Sequence, residues 1–181
     1  MYGCRTHAKQ CALLLGTALA FAASSAGAAP LQSWDRVIPD GAKRFKVLAQ
    51  MNDEAVLDKE TGLVWQRSPS ATSTFDWGTS AALCIGTAIG GRRGWRLPSA
   101  WELMTLKDPA QANPALPPNH PFQDIVTGTI YWTATASASD ANGALALGFS
   151  SGGQGIITIA RSTVGLRWCV RGPGGDYPGT P

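Results

Sequence analysis

The positions of the four cysteines constrain what this 181-residue chain can fold into more than any other feature. Cys4 and Cys11 lie near the N-terminus, whereas Cys84 and Cys169 lie far apart in the rest of the chain. If Cys84 and Cys169 are bonded, the middle of the chain must meet its end. Whether they are bonded depends on the redox state of the compartment in which the protein folds.

The N-terminal 28 residues have the three parts of a secretory signal peptide. "MYGCRTHAKQ" carries two basic residues and no acid, "CALLLGTALAFAA" is a short apolar run, and Ala26-Gly27-Ala28 fits the small-x-small cleavage rule. The apolar run is shorter than the stretch of about 20 residues that a transmembrane helix needs. We therefore expect cleavage after residue 28, a mature chain without a transmembrane segment, and a secreted or periplasmic location.

Export favours a disulfide between Cys84 and Cys169. Cleavage of the signal peptide removes the other two cysteines, and the remaining two are in an oxidising compartment. Closing a loop of about 85 residues stabilises a fold by roughly 4 kcal/mol on the chain-entropy model. The alternative is a pair of free or catalytic thiols. Neither cysteine has a C-x-x-C partner or an adjacent histidine, which argues against that alternative.

The mature chain is nearly neutral, so charge does not predict a nucleic-acid partner. Removing Arg5 and Lys9 reduces 15 basic residues to 13, against 12 acidic residues, a balance of about +1. Part of the basicity of the whole chain is therefore a targeting feature.

Residue patterns predict an α+β domain with two helices and a mainly antiparallel sheet. Helix signals occur in "DWGTSAALC" and "SAWELMTLK", and most of the alternating, strand-like runs lie in the last third. A Pro-rich loop with five prolines follows the second helix. We divide the chain into the signal peptide (1–28), an N-terminal lead-in (29–54), the domain (55–172) and a flexible tail (173–181).

The stretch "RGWRLPSAWELMTLKD" predicts a fixed turn into the second helix. Ser99 and Glu102 have the spacing of a capping box, and Pro98 holds the preceding residue extended. Arg96 is either an anion ligand or a partly buried residue paired with a carboxylate such as Glu102; we favour the pairing.

Seven tryptophans are available either to stack on sugars or to fill a core. We favour the core for the six that lie in the domain, among them Trp95 and Trp101, which flank this turn.

Five segments in order, "DKETGLVWQ", "DWGTSAALC", "GWRLPSAWELMTLKD", "YWTATA" and "GLRWCVRG", resemble the Lcl C-terminal domain family. That family is named after the C-terminal domain of the Legionella collagen-like adhesin. The resemblance implies a C-type-lectin-like fold, export, and binding at a surface, for the named adhesin to sulfated glycosaminoglycans. This chain departs from that adhesin in having no collagen-like Gly-x-y region, and it lacks the acidic motifs of calcium-dependent lectins.

The candidate ligand residues are Arg92 and Arg93, since the glycines of "GGRRGW" leave both guanidiniums exposed to bind an anion. The alternative is a solvated basic turn. Three later arginines could join them as a patch or simply face water: Arg161, Arg167 and Arg171.

No catalytic constellation, metal-ligand set or cofactor motif is visible; His120 is the mature chain's one histidine. We therefore expect no enzyme, no metal and no cofactor. The leading hypothesis is an exported binding module that recognises a glycan, such as a weakly bound sulfated polysaccharide, or an envelope protein through loops 86–94 and 109–128. The alternatives are an enzyme of the formylglycine-generating class, which would need two reactive thiols, and a structural subunit of an envelope assembly.

Overall fold

The computed structural model describes residues 37–69 and 73–172. The predicted signal peptide, Trp34 and the predicted tail all lie outside these residues. The described elements, in chain order, are α1 (Gly41–Arg44), β1 (Phe45–Val47), a 3-10 turn (Ala49–Met51), β2 (Ala55–Asp58), β3 (Val64–Gln66), α2 (Trp77–Gly86), α3 (Ala100–Met104), β4 (Ile130–Ala136), β5 (Gly143–Gly148), β6 (Ile157–Ala160), β7 (Leu166–Arg167) and β8 (Val170–Arg171).

The predicted α+β class is confirmed, but the strands form two sheets rather than one. The first has the order β1-β2-β3-β8 and is antiparallel throughout. The second has the order β6-β5-β4-β7, and its β4–β7 pair is parallel. Antiparallel pairs therefore dominate, as the sequence indicated.

The turn between β2 and β3 forms where "DKETG" predicts it. Gly62 has a φ of 75°, and the Asp58 carboxylate accepts hydrogen bonds from the Glu60 amide and the Thr61 hydroxyl, each at 2.9 Å. The same carboxylate forms a buried two-point ion pair with Arg44 at 2.9 and 2.7 Å. This ion pair was not predicted, because its partners come from separate segments.

The segment "GLRWCVRG" does not form one continuous strand. Leu166, Trp168, Cys169 and Val170 are all buried, whereas successive residues of a regular strand point to opposite faces. The chain therefore turns at residues 168–169, and β7 joins the second sheet while β8 joins the first.

The Cys84–Cys169 disulfide is present and links α2 to this turn. Both half-cystines are fully buried, with exposures of 0% and 1%. Asp76 caps the start of α2 by accepting a hydrogen bond from the Thr79 amide at 3.0 Å, and hydrogen bonds from Thr79 lower the pKa of its carboxyl.

The turn into α3 contains the predicted capping box. The Ser99 hydroxyl accepts from the Glu102 amide at 3.2 Å, and the Glu102 carboxylate accepts from the Ser99 amide at 2.7 Å. Both oxygens of Glu102 also pair with the Arg96 guanidinium at 2.7 Å. Since the two side chains are only 11% and 10% exposed, Arg96 serves this turn and is withdrawn from solvent.

The prediction that Trp101 packs in the core is wrong, because its exposure is 71%. Ala100 and Leu103, three residues apart, face the core, and Glu102 is buried against Ser99 and Arg96, whereas Trp101 points outward. Trp77 is half-buried. The remaining tryptophans of the domain are buried as predicted: Trp65, Trp95, Trp132 and Trp168.

Part of the predicted lead-in belongs to the folded domain. β1 is the edge strand of the first sheet, and Phe45 lies in the core against Phe122, with ring centroids 4.9 Å apart. The Gly41 amide donates to Pro118 O at 2.8 Å, so this segment is also fixed to the Pro-rich loop. The packed core therefore extends N-terminal to residue 55, the start of the predicted domain.

The Pro-rich loop is held by packing rather than by regular hydrogen bonding. Leu116 and Phe122 enter the core, and the Ala115 amide donates to Phe149 O at 2.8 Å. His120 packs beside Phe122; its Nδ1 is buried without a hydrogen-bond partner among the described residues, and burial lowers its pKa.

Replacing both Cys84 and Cys169 by alanine should lower the free energy of unfolding by about 4 kcal/mol, since the 85-residue loop is no longer closed in the unfolded chain. Urea denaturation of wild type and variant measures this loss. Chemically reduced wild type should match the variant, and equal stability of oxidised and reduced protein would contradict the expectation.

Arg96→Ala should cost about 3 kcal/mol, because it leaves the Glu102 carboxylate partly buried without its ion-pair partner. Thermal unfolding measures the change. Trp101→Ala is the matched control, since it removes an exposed side chain from the same turn and should leave the melting temperature unchanged. A normal melting temperature for Arg96→Ala would show that the ion pair does not support the fold.

The stability of the fold should fall as the pH drops through 6.5, the ordinary pKa of histidine. Unfolding exposes His120 and restores its higher pKa, so the unfolded chain binds more protons and gains stability relative to the fold as pH falls. Urea unfolding at intervals between about pH 7 and pH 5 tests this. His120→Gln should flatten the profile, and an unchanged slope in that variant would assign the effect to other groups.

Candidate functional site

A tight hairpin follows α2; Arg92 is its last residue and Arg93 comes directly after it. Ile89 and Arg92 exchange backbone hydrogen bonds at 3.1 and 3.0 Å, and the two glycines between them have φ values of 59° and 69°. Positive φ at both central positions is the geometry that glycine permits most readily. We call residues 89–92 the glycine hairpin.

The hairpin is fixed by contacts on its inner side. A Cβ on Gly90 would lie 2.5 Å from the Met51 carbonyl oxygen, so a larger residue does not fit there. The indole of buried Trp95 donates to Arg92 O at 2.8 Å. The backbone at Arg92 is therefore held firmly, while the side chains of Arg92 and Arg93 are exposed.

Arg171 on β8 joins these two residues. Its Nε donates to Arg93 O at 3.0 Å, and it is exposed like them. Within the described part of the chain, none of the three guanidiniums forms an ion pair with a carboxylate. Arg92, Arg93 and Arg171 thus form a group of solvent-facing cations, which we call the arginine cluster.

The other two late arginines are not part of this cluster. The Arg161 guanidinium lies 4.5 Å from the centre of the Trp77 ring, and the Arg167 guanidinium lies 5.4 Å from that of Phe75. Burial lowers the pKa of Arg167. Of the five arginines that the sequence offered as candidates for one patch, only the three of the arginine cluster therefore remain.

The two loops predicted to bind a ligand meet at a pocket of about 280 Å³. Ile89 of the glycine hairpin and Gln123 of the Pro-rich loop both line it, together with residues that the sequence analysis did not single out. These are Asp53, Glu54, Gln66, Arg67 and Ser68. We call this the polar pocket. No local pattern marks its residues, because four separate segments supply them.

A second, smaller pocket of about 210 Å³ lies beside the start of β4, near Thr129 and Gln154. No group of three or more His, Cys, Asp or Glu side chains in residues 37–69 and 73–172 is placed to hold a metal ion. Every helix among those residues is too short or too polar to span a bilayer.

Comparison with protein families matches residues 54–171 to the Lcl C-terminal domain. No match was found among curated proteins. The matched region includes the glycine hairpin, both half-cystines, Arg171 and every lining residue of the polar pocket except Asp53, and it covers more than half of the 181-residue chain. The chain therefore belongs to the Lcl C-terminal domain family.

Proposed function

We propose that this protein is an exported, non-enzymatic binding module that attaches to an anionic partner, a glycan or an envelope protein, through the arginine cluster. The observation that carries the proposal is a set of three exposed arginines: Arg92 and Arg93 at the end of a fixed hairpin, and Arg171, which donates to Arg93 O. None of them forms an ion pair with a carboxylate among the described residues. Guanidinium groups bind sulfate and carboxylate in two-point geometry, which makes such a cluster suited to these anions.

The near-neutral balance of the mature chain limits the strength of this attachment. Two or three exposed contacts give modest affinity, and salt screens them because the charges face water. We therefore expect weak binding that is lost at moderate ionic strength. Weak single contacts suit a surface module whose overall affinity comes from several contacts made at once.

The Cys84–Cys169 disulfide supports both binding over catalysis and a location outside the cytoplasm. Cys84 and Cys169 are bonded to each other, so neither supplies the free thiol that an enzyme of the formylglycine-generating class would need. A buried structural disulfide is also typical of proteins that fold in an oxidising compartment. The signal-peptide pattern of residues 1–28 agrees with a location outside the cytoplasm.

Arg92→Ala combined with Arg93→Ala should make the mature protein elute from a heparin column at lower salt, with an unchanged melting temperature. Both side chains are exposed, so their loss removes ligand contacts without disturbing the core. Salt-gradient chromatography and thermal unfolding measure the two effects.

Lys43→Ala combined with Lys46→Ala is the matched control. It removes the same net charge from two exposed residues around β1, at the opposite edge of the sheet from β8. Three strand spacings, about 14 Å, separate those edges. Equal elution of the arginine variant and wild type would refute the site, and a wild type that heparin does not retain would refute sulfated-glycan binding.

A further inference from the structure

The polar pocket differs in chemistry from the arginine cluster. Asp53 and Glu54 come from the turn before β2, and Gln66, Arg67 and Ser68 come from the end of β3. Two carboxylates face a single guanidinium there, so the pocket has no excess of positive charge. A sulfated or carboxylated ligand would meet like charges inside it.

Hydrogen bonds between its segments hold the pocket open in one shape. Arg67 donates from Nε to Pro121 O and from Nη1 to Asp53 O, each at 3.2 Å. The backbone N–H of Gln123 donates to Arg67 O at 2.9 Å, and the backbone N–H of Gly90 donates to the Glu54 carboxylate. Because the walls are tied together before any ligand arrives, little ordering cost remains for binding.

Several polar groups of the pocket remain available to a ligand. Within the described residues, the Asp53 carboxylate, the Gln123 side-chain amide and Arg67 Nη2 make no hydrogen bond, and Glu54 uses only one of its carboxylate oxygens. Hydrogen-bond acceptors and donors thus line the same pocket, and Ile89 of the glycine hairpin, which is 7% exposed, adds an apolar part of the lining.

We propose that the polar pocket binds one uncharged sugar ring. A hydroxyl group both donates and accepts, so neighbouring ring hydroxyls can satisfy a carboxylate and an amide or guanidinium together. The C–H face of the ring can pack on Ile89. A volume of about 280 Å³ lies just below the range of drug-sized sites, which suits one ring rather than a longer ligand.

This inference deepens the proposed function and rests on the part of it that takes a glycan as the ligand. It assigns recognition of the sugar ring to the polar pocket and leaves attraction of anionic groups to the arginine cluster. The two meet at the glycine hairpin, where Ile89 lines the pocket and Arg92 pairs with Ile89.

Saturation-transfer NMR of the full mature chain tests the proposal. The probes are the methyl glycosides of glucose, galactose, mannose and N-acetylglucosamine. We expect transfer from the wild type to the ring protons of at least one probe. Asp53→Asn and Gln123→Ala should each weaken that binding about tenfold, the effect of losing one hydrogen bond to a charged or buried polar group.

The variants are chosen to keep the fold. Asp53 has a φ of 56°, a conformation that asparagine tolerates, and the Gln123 side chain is exposed. Gln111→Ala is the matched control, since it removes the same side chain from the Pro-rich loop outside the pocket. All three should melt like the wild type, and Gln111→Ala should keep full sugar binding.

Three results would overturn the proposal: no transfer to any of the four glycosides, transfer that survives both pocket variants, or displacement of the sugar by methylammonium, which would identify a cation pocket.

The combined Arg92→Ala and Arg93→Ala variant separates the two proposals. Glycoside binding retained in that variant, with heparin retention lost, supports both. If the wild type binds a glycoside but is not retained by heparin, only the anionic attachment is refuted. If heparin retains the wild type but no glycoside binds, only the pocket proposal is refuted.

Discussion

The bond between Cys84 and Cys169 fixes a short segment that contributes a strand to each of the two sheets. Immediately before Cys169 the chain pairs with β4 of the second sheet, and immediately after it with β3 of the first. Trp168 fills the core at the crossing, 5.9 Å from Trp65 and 4.9 Å from Phe122 between ring centroids. A shift of this segment would therefore disturb both sheets and the aromatic core together.

The same bond explains why the candidate site forms where it does. The glycine hairpin begins three residues after the end of α2, which carries Cys84, and Arg171 lies two residues after Cys169. Arg96 adds a second link, since its backbone pairs with Val170 at 3.0 and 2.9 Å. Arginines from the middle and the end of the chain are thus held next to each other by a covalent and a hydrogen-bonded constraint.

The surface around the hairpin separates two kinds of recognition. The arginine cluster presents exposed positive charge to solvent, while carboxylates, amides and one apolar residue line the polar pocket. Charge attracts a ligand over a distance of about a Debye length, and short directional hydrogen bonds discriminate between ligands at contact. Placing the two beside each other allows one module to combine weak attraction with selectivity.

The sequence by itself determined the features that depend on hydrogen bonds between near neighbours. The caps at Asp76 and Ser99, the turn at Gly62 and the exposure of Arg92 and Arg93 each follow from a few adjacent residues. The disulfide was also predictable, because Cys84 and Cys169 are the two cysteines that follow the predicted signal peptide. Only the tertiary structure decided that the last strand divides between two sheets and that Arg171 joins the cluster. It also placed Trp101 in solvent and gathered residues 53, 67, 89 and 123 around one pocket. These outcomes depend on packing between distant segments, which no local pattern of residues encodes.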